Sequence, residues 1–285
     1  MSAKNSYIKG FGLQNSAFLQ DMTLSFSIEL GNRSQYNNFY HITPMEGSVY
    51  SLYKEYSHHF FLDSIDDLLR DIVRNVFLHG SVFIYLETDE KNGNLKNWKF
   101  EVAHYKFYLK GHHKYYLINN NFDVKTFPLE KIAHISIADF GFTKKELRMI
   151  YKALRQSDSL ISDATDLYIS PKYDFKRHAK YTDTFLLAAI SKIYWDNRSA
   201  TNKYYTVPCV LHQRSKYLQL KLRILNLLIK KLNMLASYLY LRYGIYGQLH
   251  YNSQFSIEEI DRRMLQYNEG SINTHSLSNY LYKYN

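Results

Sequence analysis

The sequence has little cysteine, no long apolar run and no clustered charge. Its 285 residues include one cysteine, Cys209, which excludes an intrachain disulfide and is typical of a reducing compartment. Residues 1–10 lack the apolar stretch of a signal peptide, and no apolar run approaches the roughly 18 residues that span a membrane. These absences predict a soluble protein that is neither secreted nor membrane-bound.

Signatures of catalysis are also missing. The sequence contains no H-E-x-x-H or H-x-H metal motif, no G-x-x-x-x-G-K phosphate loop and no G-x-S-x-G nucleophile elbow. The pairs His58-His59 and His112-His113 each offer at most one ligand to a metal, because adjacent strand residues point to opposite faces. Cys209 has no partner in a motif and is expected to be a buried apolar residue. We therefore predict a protein without enzyme activity, catalytic residues, bound metal or cofactor.

A metal-dependent nuclease is the weakest alternative that the sequence leaves open. Its nearest group of carboxylates consists of Asp66, Asp67, Asp71, Glu87 and Glu101, which could in principle converge on Mg²⁺. Asp66 and Asp67 are equally explained by the positive end of a helix dipole. Glu101 is explained by alternation on a solvent-facing strand, and no lysine follows it in nuclease spacing.

Positive charge and tyrosine are abundant. The net charge is +10, and the chain contains 28 Tyr and 17 Phe. This charge favours an anionic partner, most simply nucleic acid, and many amphipathic rings suit base stacking or subunit interfaces. Basic residues alternate with Tyr in two segments, which are either solvated loops or nucleic-acid contacts. The predicted contacts are Lys172, Lys176, Arg177, Lys180, Tyr181 and Lys203.

Hydrophobic spacing predicts an α+β fold in which a helix leads into a small, mostly antiparallel sheet. Apolar residues from Ile65 to Phe77 recur at helical spacing, Ser64 is a suitable N-cap, and Gly80 suits the C-terminal cap. An unbroken apolar run follows directly and predicts a strand that is buried on both faces. The predicted strands are Val82–Leu86, Trp98–Val102, Tyr105–Leu109, Tyr115–Ile118, Phe122–Phe127 and Ile132–Ile137.

The second half of the sequence predicts helices. Thr143 and Glu146 form a capping-box pattern before a helix that we expect to break at 157–159. The longest predicted helix runs over Lys216–Tyr243 and is closed by Gly244. Its apolar residues follow a heptad seam, which predicts either a contact between subunits or the core of a bundle. The predicted interface residues are Leu218, Leu222, Leu225, Ile229, Leu232 and Leu239.

The chain is expected to divide into four consecutive segments. Residues 1–63 are poorly defined, although Thr23–Leu30 alternates enough to predict a strand. Residues 64–140 form the strand-rich region, and residues 141–270 form the helical region, which ends with a capped helix after Ser256. Residues 271–285 are polar and are expected to be a frayed tail.

The order of elements over residues 64–137 resembles that of the portal proteins of tailed phages. In that family a helix ending in a His-Gly pair leads into an apolar strand, a hairpin, a strand pair around a Tyr, a Pro-x-x-x-Ile step and a His-Ile strand. The segment Asn202–Leu211, which contains Val207-Pro208-Cys209-Val210-Leu211, is similar to one that precedes a long helix in such proteins. The matching residues are Leu78–Ile84, Tyr115–Tyr116, Pro128–Ile132 and His134–Ile135.

This resemblance implies a structural protein of a phage, located in the virion or in the cytoplasm of a bacterial host. Portal proteins form a closed, typically twelvefold ring at one capsid vertex, pass double-stranded DNA, and contact the packaging motor, the capsid and the tail connector. No stem-and-clip insertion is identified in this sequence. The alternative function is a basic, sequence-independent nucleic-acid-binding protein that does not form a ring.

Overall fold

A computed structural model describes residues 13–32, 39–43, 64–91, 94–165, 193–195 and 206–282, which form the predicted α+β fold. The chain divides into two compact units that are each discontinuous in sequence. The sheet unit comprises 1–6, 25–141 and 223–254, and the helical unit comprises 7–24, 142–222 and 255–285. The predicted boundary between residues 140 and 141 coincides with a boundary between the two units. The predicted segments are otherwise consecutive in sequence, whereas each unit combines separated segments.

Seven helices and eight strands occur in the described part of the chain. The helices are α1 (Leu13–Met22), α2 (Phe26–Leu30), α3 (Ser64–His79), α4 (Lys144–Thr165), α5 (Val207–Tyr243), α6 (Ile257–Asn268) and α7 (Thr274–Leu281). The strands are β1 (Tyr40–Thr43), β2 (Ser81–Lys91), β3 (Asn94–Ala103), β4 (Phe107–Lys110), β5 (Lys114–Ile118), β6 (Val124–Pro128), β7 (Ile132–Ser136) and β8 (Gln248–Tyr251).

The predicted step from helix to strand is confirmed. Helix α3 buries one apolar stripe that includes Leu69 and Ile72, and it ends at Gly80, whose φ of +78° few other residues adopt. Strand β2 then forms the centre of the antiparallel sheet β3-β2-β7. Val82 and Phe83 on adjacent positions are both buried, so both faces of β2 are covered, as the apolar run predicts.

A second antiparallel sheet, the small sheet β4-β5-β6, is inserted between β3 and β7 in the sequence. Its strands pair in simple register, with Leu109 opposite Tyr116 and Tyr116 opposite Thr126. The strands are shifted slightly from their predicted bounds, because Tyr105 precedes β4 and Phe122 lies in the turn between β5 and β6. The sheet unit also contains the antiparallel pair β1-β8.

Two predictions for the helical region are wrong at helix bounds. Helix α4 begins with the predicted capping box, in which Glu146 N donates to Thr143 Oγ1 at 3.1 Å, but it continues to Thr165 without the expected break. Helix α5 begins at Val207, nine residues before the predicted start. Val207–Leu211 is therefore its first turn, where Pro208 is tolerated because first-turn N–H groups have no helical partner.

Two further predictions are wrong at the ends of the chain. Thr23–Leu30 contains helix α2 instead of a strand, since Phe26 and Leu30 are buried one helical turn apart while Ile28 is 52% exposed. The tail contains helix α7, whose Leu277 and Leu281 are fully buried, so the tail is not frayed over the helix. Its N-cap, Asn273, accepts a hydrogen bond from Ser276 N at 2.9 Å.

Candidate nucleic-acid interface

The nucleic-acid contacts predicted from the sequence lie outside the described residues. This applies to all six: Lys172, Lys176, Arg177, Lys180, Tyr181 and Lys203. They stay predictions.

The seam of helix α5 is not available as a surface. Leu218, Leu222, Leu225, Ile229, Leu232 and Leu239 are each 8% exposed or less within the single chain. The interpretation of this seam as a contact between subunits is therefore wrong, and the alternative of a core helix is correct. Heptad spacing identifies a shared apolar face and contains no information about which chain covers it.

Four of the five carboxylates of the nuclease alternative, Asp66, Asp67, Glu87 and Glu101, have hydrogen-bond or ion-pair partners in the described part of the chain. Glu87 and Glu101 both pair with Lys99 on the surface of the β2-β3 hairpin. Asp66 is buried and accepts hydrogen bonds from Ser27 Oγ at 2.9 Å and Tyr40 OH at 2.5 Å. Among the described residues, no group of three or more His, Cys, Asp or Glu side chains is placed to hold a metal ion. Cys209 is half-buried, less so than predicted.

The small sheet exposes one apolar face, which we call the platform. Two cross-strand rows build it: Leu109, Tyr116 and Thr126 lie opposite one another, and Phe107, Ile118 and Val124 form the next row. Cross-strand partners share a face, so these side chains form one continuous surface. The exposed fractions are 53% for Phe107, 66% for Leu109, 39% for Tyr116 and 57% for Val124.

The opposite face of the small sheet anchors the platform within the sheet unit. Leu117 is fully buried and forms a cluster with Phe83 of β2 and Ile132 of β7. Tyr108 and Tyr115 contact Phe83 edge-on, with ring centroids 4.9 and 5.8 Å away. Aromatic packing of this kind adds about 0.5–1.5 kcal/mol per pair beyond the buried area. The platform is thus the outer face of a sheet that is held on its inner side.

The platform carries positive charge. Lys106 Nζ lies 5.4 Å from the ring centroid of Phe107 and 5.7 Å from that of Phe122, so one ammonium group neighbours both rings. Lys114 is exposed and shares the side of β5 on which Tyr116 lies, two positions away. The other two lysines of residues 105–128, Lys110 and Lys125, are cross-strand partners of Tyr115 and Leu117 and therefore lie on the opposite face.

The turn between β5 and β6 presents Phe122 beside the platform. Asn119 Oδ1 accepts hydrogen bonds from Asn121 N at 2.8 Å and Asp123 N at 3.0 Å, which closes the turn. Phe122 has a φ of +65°, a left-handed conformation that is uncommon for a bulky residue, and its ring is 71% exposed. The backbone of this turn is therefore strained at the residue whose aromatic ring faces outward.

Sequence reasoning missed the platform although the signal is present. The strands were recognised, but alternation in β4 and β5 places apolar residues on both faces, which is also the pattern of a sheet buried on both sides.

Comparison of the sequence with protein-family models gives no match, and neither does comparison with curated proteins. None of the described helices is long and apolar enough to cross a membrane.

Proposed function

We propose that this chain is a structural protein of the portal type, which assembles into a ring around double-stranded DNA. The observation that supports the proposal is the order of elements in the sheet unit. Helix α3 passes through Gly80 into the central strand β2, the β2-β3 hairpin follows, and the small sheet is inserted before β7 returns beside β2. This is the order on which the resemblance to portal proteins depends.

The details of β7 agree with the same proposal. Pro128 ends β6, the turn Leu129–Lys131 follows, and β7 carries His134-Ile135 antiparallel to Phe83-Val82. The net charge of +10 suits a protein that meets the phosphate backbone without reading sequence. Under this proposal, the chain performs no covalent chemistry, and its partners are copies of itself, DNA, the packaging motor, the capsid and the connector.

Native mass tests ring assembly directly. The purified chain is examined by light scattering after size exclusion, over a range of protein concentrations, and the main peak is imaged by negative stain. A closed ring with a central opening supports the proposal, because portal function requires cyclic assembly with heterologous contacts. A monomer or dimer at every concentration, with and without DNA present, contradicts it.

We propose as the second candidate a basic nucleic-acid-binding protein that does not form a ring. The platform favours this candidate, since exposed aromatic rings next to lysines are the elements of sequence-independent binding. The test is binding of unrelated oligonucleotides against salt concentration, together with the native mass. Equal affinity for unrelated sequences, a steep loss of affinity with salt and an unchanged monomeric mass would support it.

A further inference from the structure

We propose that the platform binds single-stranded nucleic acid, with Phe107, Tyr116 and Phe122 stacking on bases and with Lys106 and Lys114 contacting phosphates. This inference rests on nucleic-acid binding, the second of the two proposed functions, and goes beyond it by assigning the surface and the form of the ligand. It does not require that the chain forms a ring.

The three rings are exposed in a way that suits stacking. Phe107 and Phe122 flank the Lys106 ammonium group, and Tyr116 lies in the adjacent cross-strand row. Every base has a π-face, so stacking tolerates any sequence and contributes about 1–3 kcal/mol per base. In a duplex these faces are already covered by neighbouring base pairs, which is why the platform favours a single strand.

Charge decides between nucleic acid and a second copy of the chain. Lys106 lies beside the Phe107 and Phe122 rings and Lys114 lies on the platform face, whereas the strand register places Lys110 and Lys125 on the opposite face of the small sheet. Two platforms packed face to face in a symmetric dimer would bring Lys106 and Lys114 of one copy close to the same lysines of the other, which costs free energy. A polyanion with exposed bases instead matches both the charge and the rings.

The platform is also supported by contacts that are present before any ligand binds. Its inner face packs on the Phe83 cluster, and the Asn119 hydrogen bonds fix the turn that carries Phe122. Side chains with only two rotatable bonds, such as Phe and Tyr, lose little conformational entropy on binding. Packing that already orients them lowers this entropic cost further. This arrangement needs no ordering step and is consistent with a surface built for contact.

The experiment measures binding of the full chain to a fluorescein-labelled oligothymidine of about 20 nucleotides and to a duplex of equal length. We expect the single strand to bind more tightly. Phe107→Ala, Tyr116→Ala and Phe122→Ala should each weaken single-strand binding by roughly 5- to 150-fold, the factor equivalent to one stacked base. Lys106→Gln should reduce the slope of log affinity against log salt by about 0.7.

Two controls separate stacking from other effects. Phe107→Leu and Phe122→Leu keep an apolar side chain but remove the ring, so they should weaken binding nearly as much as the alanine variants. Met149→Ala removes a half-exposed side chain from helix α4 and should leave affinity unchanged. Circular dichroism confirms that each variant is folded, which we expect because the replaced side chains are exposed.

The failures of the two proposals are distinguishable. If the wild-type chain binds neither oligonucleotide, nucleic-acid binding itself is wrong. If the wild type binds but the three aromatic variants bind equally well, the function stands and the platform is not the site. If these variants change the native mass and leave binding intact, the platform is a contact between copies and this inference is overturned.

Discussion

At the residue scale, the buried carboxyl of Asp66 shows how the start of helix α3 is held. Asp66 is fully buried and accepts hydrogen bonds from Ser27 and Tyr40, which tie α3 to α2 and β1 within the sheet unit. Burial raises the pKa of this carboxyl above its ordinary value, and the hydrogen bonds from Tyr40 and Ser27, together with the charge of Arg70, oppose that shift without cancelling it. The folded state therefore holds the proton more strongly, and this group contributes less stability as pH rises through its folded pKa.

Replacement of Asp66 should separate the hydrogen bonds from the charge. Asp66→Ala leaves the donors of Ser27 and Tyr40 without their acceptor and should lower the free energy of unfolding by about 2–3 kcal/mol at pH 7. Asp66→Asn keeps an acceptor, resembles the protonated carboxyl and should cost less than about 1 kcal/mol. Urea denaturation of both variants measures the difference. Equal losses for Asn and Ala would show that the negative charge, and not hydrogen bonding, is what this position requires.

His79, the last residue of helix α3, gives the sheet unit a pH dependence. Its ring stacks on that of His104 at a centroid distance of 3.9 Å. Burial, with a smaller contribution from the neighbouring His104 ring, lowers the pKa of His79 from 6.5 to about 4. The unfolded chain then binds the extra proton below pH 6.5, so the stability from neutral His79 is present above pH 6.5 and is lost as pH falls towards 4.

We expect His79→Gln to remove this loss of stability at low pH. Between pH 7.5 and pH 4.5 the wild type should lose about 1–2 kcal/mol more than the variant, a figure reduced from full linkage because part of the ring meets solvent. Urea midpoints at the two pH values provide the measurement, and His112→Gln, at an exposed position, is the control. A pH dependence that is identical in wild type and His79→Gln would rule out this origin.

At the element scale, helix α5 illustrates what a heptad pattern leaves open. The pattern correctly identified one apolar face along the helix, and it correctly placed the end at Gly244, whose φ is +70°. Spacing alone could not show whether that face is covered by the same chain or by another copy. The burial of all six seam residues decides the question, so substitutions there should act on folding rather than on assembly.

A matched pair of leucines in helix α5 tests this assignment. Leu225→Ala removes a fully buried side chain and should cost about 2–5 kcal/mol of unfolding free energy. Leu241→Ala, at a position 81% exposed in the same helix, should change stability by less than about 0.5 kcal/mol. Denaturant unfolding gives both values. A change in oligomeric state with unchanged stability for Leu225→Ala would contradict the core assignment.

At the scale of the whole molecule, the chain builds each unit from separated segments. Residues of α5 up to Leu222 belong to the helical unit, and residues from Arg223 belong to the sheet unit. The helical unit also depends on the C-terminal segment, where Leu277 and Leu281 are fully buried. Arg214 Nε donates to the Leu281 carbonyl oxygen at 3.5 Å, which links this segment to helix α5.

Deletion of residues 274–285 should therefore destabilise the helical unit. Burial of two leucines contributes about 3–6 kcal/mol, and the loss should approach that range. The two tryptophans permit a clean measurement, because buried Trp195 belongs to the helical unit and buried Trp98 to the sheet unit. In a Trp98→Phe background, Trp195 fluorescence reports the unfolding of the helical unit. A midpoint that the deletion leaves unmoved would show that α7 contributes little to stability.

The sequence by itself determined the local elements. Helix α3, its end at Gly80, the buried strand β2 and the capping box of α4 were all predicted, because capping, glycine conformation and hydrophobic period act between near neighbours. The same local signals gave a wrong prediction at α2. Phe26, Ile28 and Leu30 alternate as in a strand, but Phe26 and Leu30 also lie four residues apart, which is the spacing of one helical face.

Only the tertiary structure decided which apolar faces are covered. The seam of α5 and the platform of the small sheet are both apolar faces, yet the seam is buried and the platform is exposed. The physical reason is that a pattern determines which side chains share a face, whereas coverage depends on contacts between residues far apart in sequence. The discontinuous units and the exposed platform are both consequences of such contacts, which periodicity does not encode.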